Sequence, residues 1–292
     1  MASWFDDARI LNDADMKEVI PMGKHILLVH DMTGYGKVAL AAIMPVLSHM
    51  GHHLYTLPTA IVSNTLDYGQ FAIHEMTDYM RSTLQVWKNL GFTFEAVSTG
   101  MIFSDEQAAL VSQLCRDSAA RGCMVFVDPV MGDEGKLYNG VTEATVAHMR
   151  EMVSVADYTM PNYTEAAYLA DEPIREDLTR AQADALVDAL RAMGAKSVLI
   201  TSAKVDGTYC VVGYDHRADE RFLLPFEMVP VFFSGTGDIF NGVMTGYVLD
   251  GDPLPVAIQK AMDAVREMIL RHRDNEDHYV GIPLETCLDV LP

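Results

Sequence analysis

The chain of 292 residues carries 41 acidic against 21 basic side chains, a net charge of −20, and 50% of it is hydrophobic. That hydrophobic share supports a sizeable core and excludes global disorder, while length alone allows one large α/β domain or two small ones. The acidity excludes a nucleic-acid or anionic-membrane role, since both need a basic footprint; an anionic ligand needs local positive potential from backbone amides, a metal ion or a lysine or two.

Cys115, Cys123, Cys210 and Cys287 stand far apart with no Cys-x-x-Cys pair. Neither a zinc ribbon nor a redox dithiol is suggested, and a reduced, cytoplasmic setting fits. Residues 1–23 are too acidic and too weakly apolar for a signal peptide. They read as an N-terminal extension, with a surface-packed helix expected. No run is long enough for a membrane span. Residues 24–292 read as one domain, without repeats, low-complexity tracts or Ser/Gly linkers.

In chain order, "HILLVH" (25–30) reads as a strand and "KVALAAIMPVLSHMG" (37–51) as a helix ended by Gly51. "HLYTLPTAIVS" (53–63) returns to strand, and "EMTDYMRSTLQVWKNLG" (75–91) is a helix stopped at Gly91. "FEAVSTG" (94–100) is a strand, "DEQAALVSQLCRDSAARG" (105–122) a helix, and "CMVFVDPV" (123–130) the plainest buried strand. "ADYTMPN" (156–162), a helix over 178–193 and "SVLITSA" (197–203) continue the alternation. This rhythm predicts a mostly parallel sheet with helices on both faces. Beyond it, "GTYCVVGYD" and "RFLLPFEMV" predict a β-ribbon, and helices over 237–250 and 254–272 close the chain.

Ligands of open parallel sheets sit beyond the carboxyl ends of the strands. The polar residues there are His30, Asp31, Thr59, Ser63, Asn64, Asp128, Asn162, Glu165, Thr201 and Ser202. "FSGTGDIFNG" (233–242) adds Gly235, Thr236 and Gly237 ahead of Asp238 and an apolar run. Glycines at a helix start let backbone N–H groups converge on a phosphate, and an acid there can take a proton from a hydroxyl lying against it. The plainer alternative is an ordinary helix start with Asp238 satisfying free amides. Asp128 ends a buried strand, where a carboxylate needs a metal or hydrogen bonds. Asn162 and Glu165, three apart, are either magnesium-side ligands or a capping box. Thr201 and Ser202 are either ligand contacts or a hydroxyl pair capping a strand, and Lys136 and Lys204 either phosphate partners or surface lysines.

These stretches together resemble the ribokinase superfamily of small-molecule kinases. "VHDMTGYGKVAL", "LPTAIVSNTLDYG", "STGMIFS", "DPVMGD" and "PNYTEA" are similar to the pyridoxal/pyridoxamine kinase branch, in uninterrupted order over about residues 24–272. The resemblance implies a three-layer α/β sandwich and a magnesium-dependent kinase that uses ATP, with a monovalent cation such as K+ as a further requirement. It implies a homodimer. It assigns Asp238 as catalytic base and Gly235, Thr236 and Gly237 as its anion hole. Asp128 and Glu165 would serve the metal. Asn162, Thr201 and Ser202 would join them on the ATP side, with Asp31, Thr59 and Ser63 on the substrate side. Many members carry Ser where this chain has Asp31, a departure that biases recognition toward an amine-bearing vitamer. Met101 and Phe103 also replace residues often seen as Tyr and Gly.

The reaction implied is transfer of the ATP γ-phosphoryl group to the 5′-hydroxymethyl of a vitamin B6 vitamer. A carboxylate of ordinary pKa, about 3.9, is a weak base toward an alcohol, so positioning and charge neutralisation would carry most of the rate. Alternatives are a hydroxymethylpyrimidine kinase of thiamine synthesis and a non-catalytic nucleotide- or B6-binding regulator. "GYGKV" (34–38) is no P-loop, because the spacing is wrong and Val38 stands where Ser or Thr should bind magnesium.

Overall fold

The computed structural model describes residues 23–138 and 141–292. The helix expected within residues 1–23 falls, but for Gly23, outside them. Strand β1 (His25–Val29) leads through the short β2 (Met32–Thr33) into α1 (Leu40–His49) and back to β3 (His53–Thr56). In β1, Ile26 and Leu28 face one core and Leu27 and Val29 the other, which is why the strand is apolar throughout. The strand expected over 53–63 is broken instead. Pro58 offers no donor to a ladder, and the chain leaves the main sheet there to form β4 (Ala60–Val62) and β5 (Ile73–Glu75). With β2, these two make a three-stranded sheet beside the carboxyl end of β1.

Helix α2 (Thr77–Leu90) ends where Gly91 takes φ 73°, as expected of a helix-stopping glycine. There follow β6 (Ala96–Thr99), α3 (Asp105–Ala119), capped by the Ser104 hydroxyl, and β7 (Met124–Val127). The chain beyond β7 forms a hairpin, β8 (Gly132–Asp133) and β9 (Lys136–Leu137), turned by Glu134 and Gly135 at φ 49° and 79°. Helix α4 (Glu143–Val153) has no counterpart in the sequence reading, although Val146, Met149, Met152 and Val153 bury one face of it at helical spacing. Next come β10 (Tyr158–Thr159), α5 (Tyr163–Ala170), α6 (Arg180–Ala192) and β11 (Ser197–Val205). The last was expected over 197–203. It runs on to Val205 through an irregularity between Ile200 and Ala203, with Ser202 at φ 57°. The ribbon β12 (Thr208–Asp215) and β13 (Glu220–Pro225) is antiparallel, as read, and α7 (Thr236–Leu249) and α8 (Leu254–His272) follow.

The main sheet runs β13-β12-β11-β10-β7-β6-β1-β3, with parallel pairing from β11 through to β3. Helices α1, α7 and α8 pack one face around Leu40, Ile43, Val243 and Ile258. Helices α3 to α6 pack the other around Val111, Met149, Leu169 and Val187. The result is the expected three-layer sandwich. Strand β1 lies between β3 and β6, so the chain runs outward from β1 to β3 and then crosses back past it to β6, which opens a crevice at the carboxyl end of β1.

Candidate active site

That crevice receives one polar residue after another in spatial order. Asp31 follows β1, Asp128 follows β7, and Asn162 and Glu165 follow β10. The sheet itself sets this row: β1, β6, β7 and β10 run parallel, so the residues that follow them come out along one edge. His30 is buried beneath Asp31, its Nε2 3.1 Å from Ser98 Oγ, and burial lowers its pKa to about 3, so it is neutral. Thr59 is fully buried and its amide donates to His30 O at 3.0 Å, which ties the loop before β4 to the end of β1. The hydroxyls of Thr59 and Thr99 are buried with no hydrogen-bond partner among the described residues. Unpaired polar atoms of this kind are rare and suit a bound ligand.

Helix α7 begins in the same crevice. Gly235 is its cap at φ 81°, and a Cβ there would lie 2.0 Å from Lys37 O, so no other residue fits. With glycine as the cap, no side chain satisfies the first amides. A Cβ on Gly237 would meet nothing within 4 Å, so the space above this turn is open. Asp238 is half-buried at its third position. Ala39 faces it from the start of α1, held at φ 48° and ψ −131°, a conformation alien to an L-residue; such strain persists where the surroundings enforce it. Ser234, just ahead, donates to Asp67, and its amide to His278 O at 3.3 Å. Asp67 and His278, with Glu134, Phe232 and Tyr279, line an adjoining cavity of about 430 Å³.

The acids act on one another along the row. Burial raises the Asp31 pKa to about 6. Burial and the charge of Asp31 raise Asp238 to about 7, against the opposing effect of the Ala39 amide. Asp128 is pushed up by burial and by Asp238, and Glu165 by burial and by Asp128. Asp238 is therefore a stronger base than the ordinary carboxylate expected from sequence.

Glu165 is nevertheless well bonded: its oxygens accept from the Met131 amide at 3.0 Å and the Asn162 amide at 2.9 Å. Asn162 Oδ1 returns a bond from the Glu165 amide at 2.9 Å, so the capping box exists. Asn162 Nδ2 also holds Gly132 O at 2.8 Å, fixing the hairpin. Asp128 accepts from Asn241 Nδ2 at 2.6 Å. Sequence reading missed Asn241, although it stands one helical turn beyond Asp238 on the same face, the signal that could have found it.

The remaining candidates differ in their surroundings. The Ser63 hydroxyl donates to Asn64 Oδ1 at 2.7 Å and accepts from the Ala72 amide at 2.9 Å, closing its own loop. The Thr201 amide donates to Pro161 O at 2.9 Å beside Asn162, while Ser202 is exposed. Lys136 is exposed on β9. Among the described residues no three His, Cys, Asp or Glu side chains cluster to hold a metal by themselves. Asp128 and Glu165, with the unpaired Oδ1 of Asn241, fit an ion such as magnesium that takes one or two protein carboxylates and keeps water and phosphate for the rest. No helix among the described residues is long and apolar enough to cross a membrane.

The chain belongs to the phosphomethylpyrimidine kinase family, whose profile matches residues 39–282. Within that family it falls in the pyridoxal kinase branch of the ribokinase-like superfamily. A protein of Bacteroides thetaiotaomicron assigned as a phosphomethylpyrimidine kinase and crystallised with pyridoxal superposes with a TM-score of 0.87 at 34% identity, covering 91% of this chain and 95% of the other. Pyridoxal kinase from Lactobacillus plantarum gives 0.81 at 25% identity, with coverage of 91% and 95%. In sequence, pyridoxal kinase PdxY of Pseudomonas fluorescens is 27% identical over 84% of this chain and 87% of its own length. The Arabidopsis thaliana pyridoxal kinase is 31% identical over 56% of this chain, a match that spans 53% of the plant protein.

Proposed function

We propose that residues 24–292 form one ATP-dependent kinase domain that phosphorylates the 5′-hydroxymethyl group of a vitamin B6 vitamer. The observation that carries this is the start of α7. An uncapped, glycine-opened helix terminus lies beside a carboxylate whose pKa is raised to about 7. The relatives named pyridoxal kinase, and the pyridoxal-bound relative at 34% identity, support the vitamer as acceptor.

In this reading the vitamer ring lies by Asp31 and Thr59, whose unpaired hydroxyl awaits a partner. The amides of Gly235, Thr236 and Gly237, aided by the helix dipole, hold the transferring phosphoryl oxygens. Asp238 orients the acceptor hydroxyl and takes its proton as the new O–P bond forms and ADP departs, worth roughly 10²–10⁴-fold in rate. Asp128 and Glu165 would hold magnesium, which when bound supplies charge neutralisation on the phosphates. Thr201 and Asn162 stand on the nucleotide side. A monovalent cation, a homodimeric assembly and a cytoplasmic setting complete the proposal.

The test is ADP release with pyridoxal, pyridoxamine, pyridoxine and hydroxymethylpyrimidine, each with magnesium and ATP. Turnover of one or more vitamers well above the pyrimidine is expected. Preference for hydroxymethylpyrimidine would overturn the vitamer assignment, and silence with all four would favour a binding protein.

A further inference from the structure

Asn241 stands at the row of acids, bonded to Asp128, and the phosphoryl-transfer steps above give its side chain no part. It sits on the buried face of α7, where its neighbours Phe240, Val243 and Met244 are apolar, and is itself 7% exposed. An apolar residue would pack there without a polar group to satisfy. The amide instead crosses from α7 to the end of β7 and donates to Asp128 Oδ2, a bond between residues 113 apart in sequence. Its other end, Oδ1, is buried with no hydrogen-bond partner among the described residues. Because the amide is planar and its donor is committed to Asp128, the direction of Oδ1 is fixed as well. A buried acceptor fixed in place and left unpaired is an unfavourable arrangement unless a ligand completes it.

What completes it follows from position. Asp128 ends β7, which β6 separates from the β1 end that bears Asp31. On the far side of Asp128 lie β10 and Glu165, whose charge interacts with that of Asp128. The acceptor atom therefore belongs with the Asp128–Glu165 pair and not with Asp31. Magnesium in such a setting retains several waters, and each of these is a hydrogen-bond donor.

We propose that Asn241 is a positioning residue of the phosphoryl-transfer site, with its donor end fixing the Asp128 carboxylate and its acceptor end holding a water of the divalent ion that accompanies the nucleotide. This rests on the kinase reading above for the presence of nucleotide and metal. It adds that the helix carrying the base also sets the metal side, so the two halves of the site are joined through one side chain.

The test uses the full chain and the variants Asn241→Leu, which removes both polar ends while keeping the branching of the side chain, and Asn241→Ser, which is too short to reach Asp128. First, the rise in melting temperature caused by ADP is measured with and without magnesium, an experiment that needs no acceptor. In the wild type, magnesium should enlarge the rise; in both variants that enlargement should fall by half or more. Second, in turnover assays the magnesium concentration for half-maximal rate should increase about tenfold, with KM for the vitamer within twofold of the wild type. An ADP response and magnesium midpoint that match the wild type in either folded variant overturn the proposal. So does an equal change in vitamer KM and magnesium midpoint, which would mark Asn241 as a structural brace. A wild type whose ADP response ignores magnesium overturns it outright. A chain that binds ADP with magnesium yet turns over no acceptor sinks the proposed function alone, because the thermal measurement still reads Asn241.

Discussion

Helices α5 and α7 begin at the same edge of the sheet, and each carries an acid at the third position of its first turn: Glu165 in one, Asp238 in the other. The difference lies in the residue that precedes each helix. Asn162 caps α5 with its side chain, and Glu165 reaches back to the Asn162 amide and across to that of Met131, so this terminus is closed. Gly235 has no side chain to offer, and Asp238 accepts from the Ala39 amide, so no side-chain cap closes the second terminus. A closed terminus holds a loop and a charge in place. An open one leaves amides and a carboxylate free for something that arrives from outside.

The largest effect should come from disabling the open terminus. Asp238→Asn is expected to cut kcat by at least about 100-fold with ADP affinity nearly unchanged, by the usual scale of general-base loss. In the wild type, kcat/KM should fall as pH drops through about 7, because Asp238 must be ionised in the free enzyme to accept the proton. Steady-state kinetics across pH 5.5–9 checks both, and near-normal turnover of the variant would remove Asp238 from the mechanism.

The closed terminus should fail differently. Glu165→Gln keeps an oxygen for the cap and removes the charge, so α5 should survive while the magnesium needed for half-maximal rate rises about tenfold, as for loss of one metal-side carboxylate. An unchanged metal titration would leave Glu165 a capping residue and nothing more.

Stability sharpens the contrast. The folded pKa of Asp238 lies above the ordinary 3.8, so folding favours the protonated acid. Its stabilising contribution is present below pH 3.8 and is lost as pH rises through about 7, leaving a penalty in ligand-free protein at pH 8. Asp238→Asn should therefore raise stability at pH 8 by about 1 kcal/mol or more and leave it little changed near pH 4. Urea unfolding at the two pH values gives the answer, and equal shifts at both would show that the carboxylate is not strained by its surroundings.

The smallest effect is expected at Asp31, next to the open terminus. Burial raises the pKa of its half-buried carboxylate, and a protonated amine on the acceptor would offset the cost of ionising it. Asp31→Ser should lower the ratio of kcat/KM for pyridoxamine over pyridoxal by about threefold to tenfold, as for loss of a partly solvated ion pair. A ratio that stays put would separate Asp31 from vitamer choice.

Much of this was legible in the chain because it is written locally. The alternation of apolar runs and helical periods gave the parallel sheet between two helical layers, since strand burial on both faces demands uninterrupted apolar residues such as Ile26 to Val29. The capping box at Asn162 and Glu165 needs only a spacing of three, and the open start at Gly235 needs only glycine and an acid. Where local signals compete, sequence reading slipped. Pro58 diverted an apparent strand into a second sheet, and the ladder carried β11 on to Val205.

The amino-acid sequence by itself determined the layers, the order of the elements and the residue types that stand at the strand ends. The tertiary structure alone decided that Asp31, Asp238, Asp128 and Glu165 form a row in which burial and each neighbour's charge raise the next pKa, and that Asn241 ties α7 to β7. The reason is range: backbone conformation follows from residues a few positions apart, whereas desolvation and Coulomb interaction depend on which distant segments the packed sheet and helices bring together.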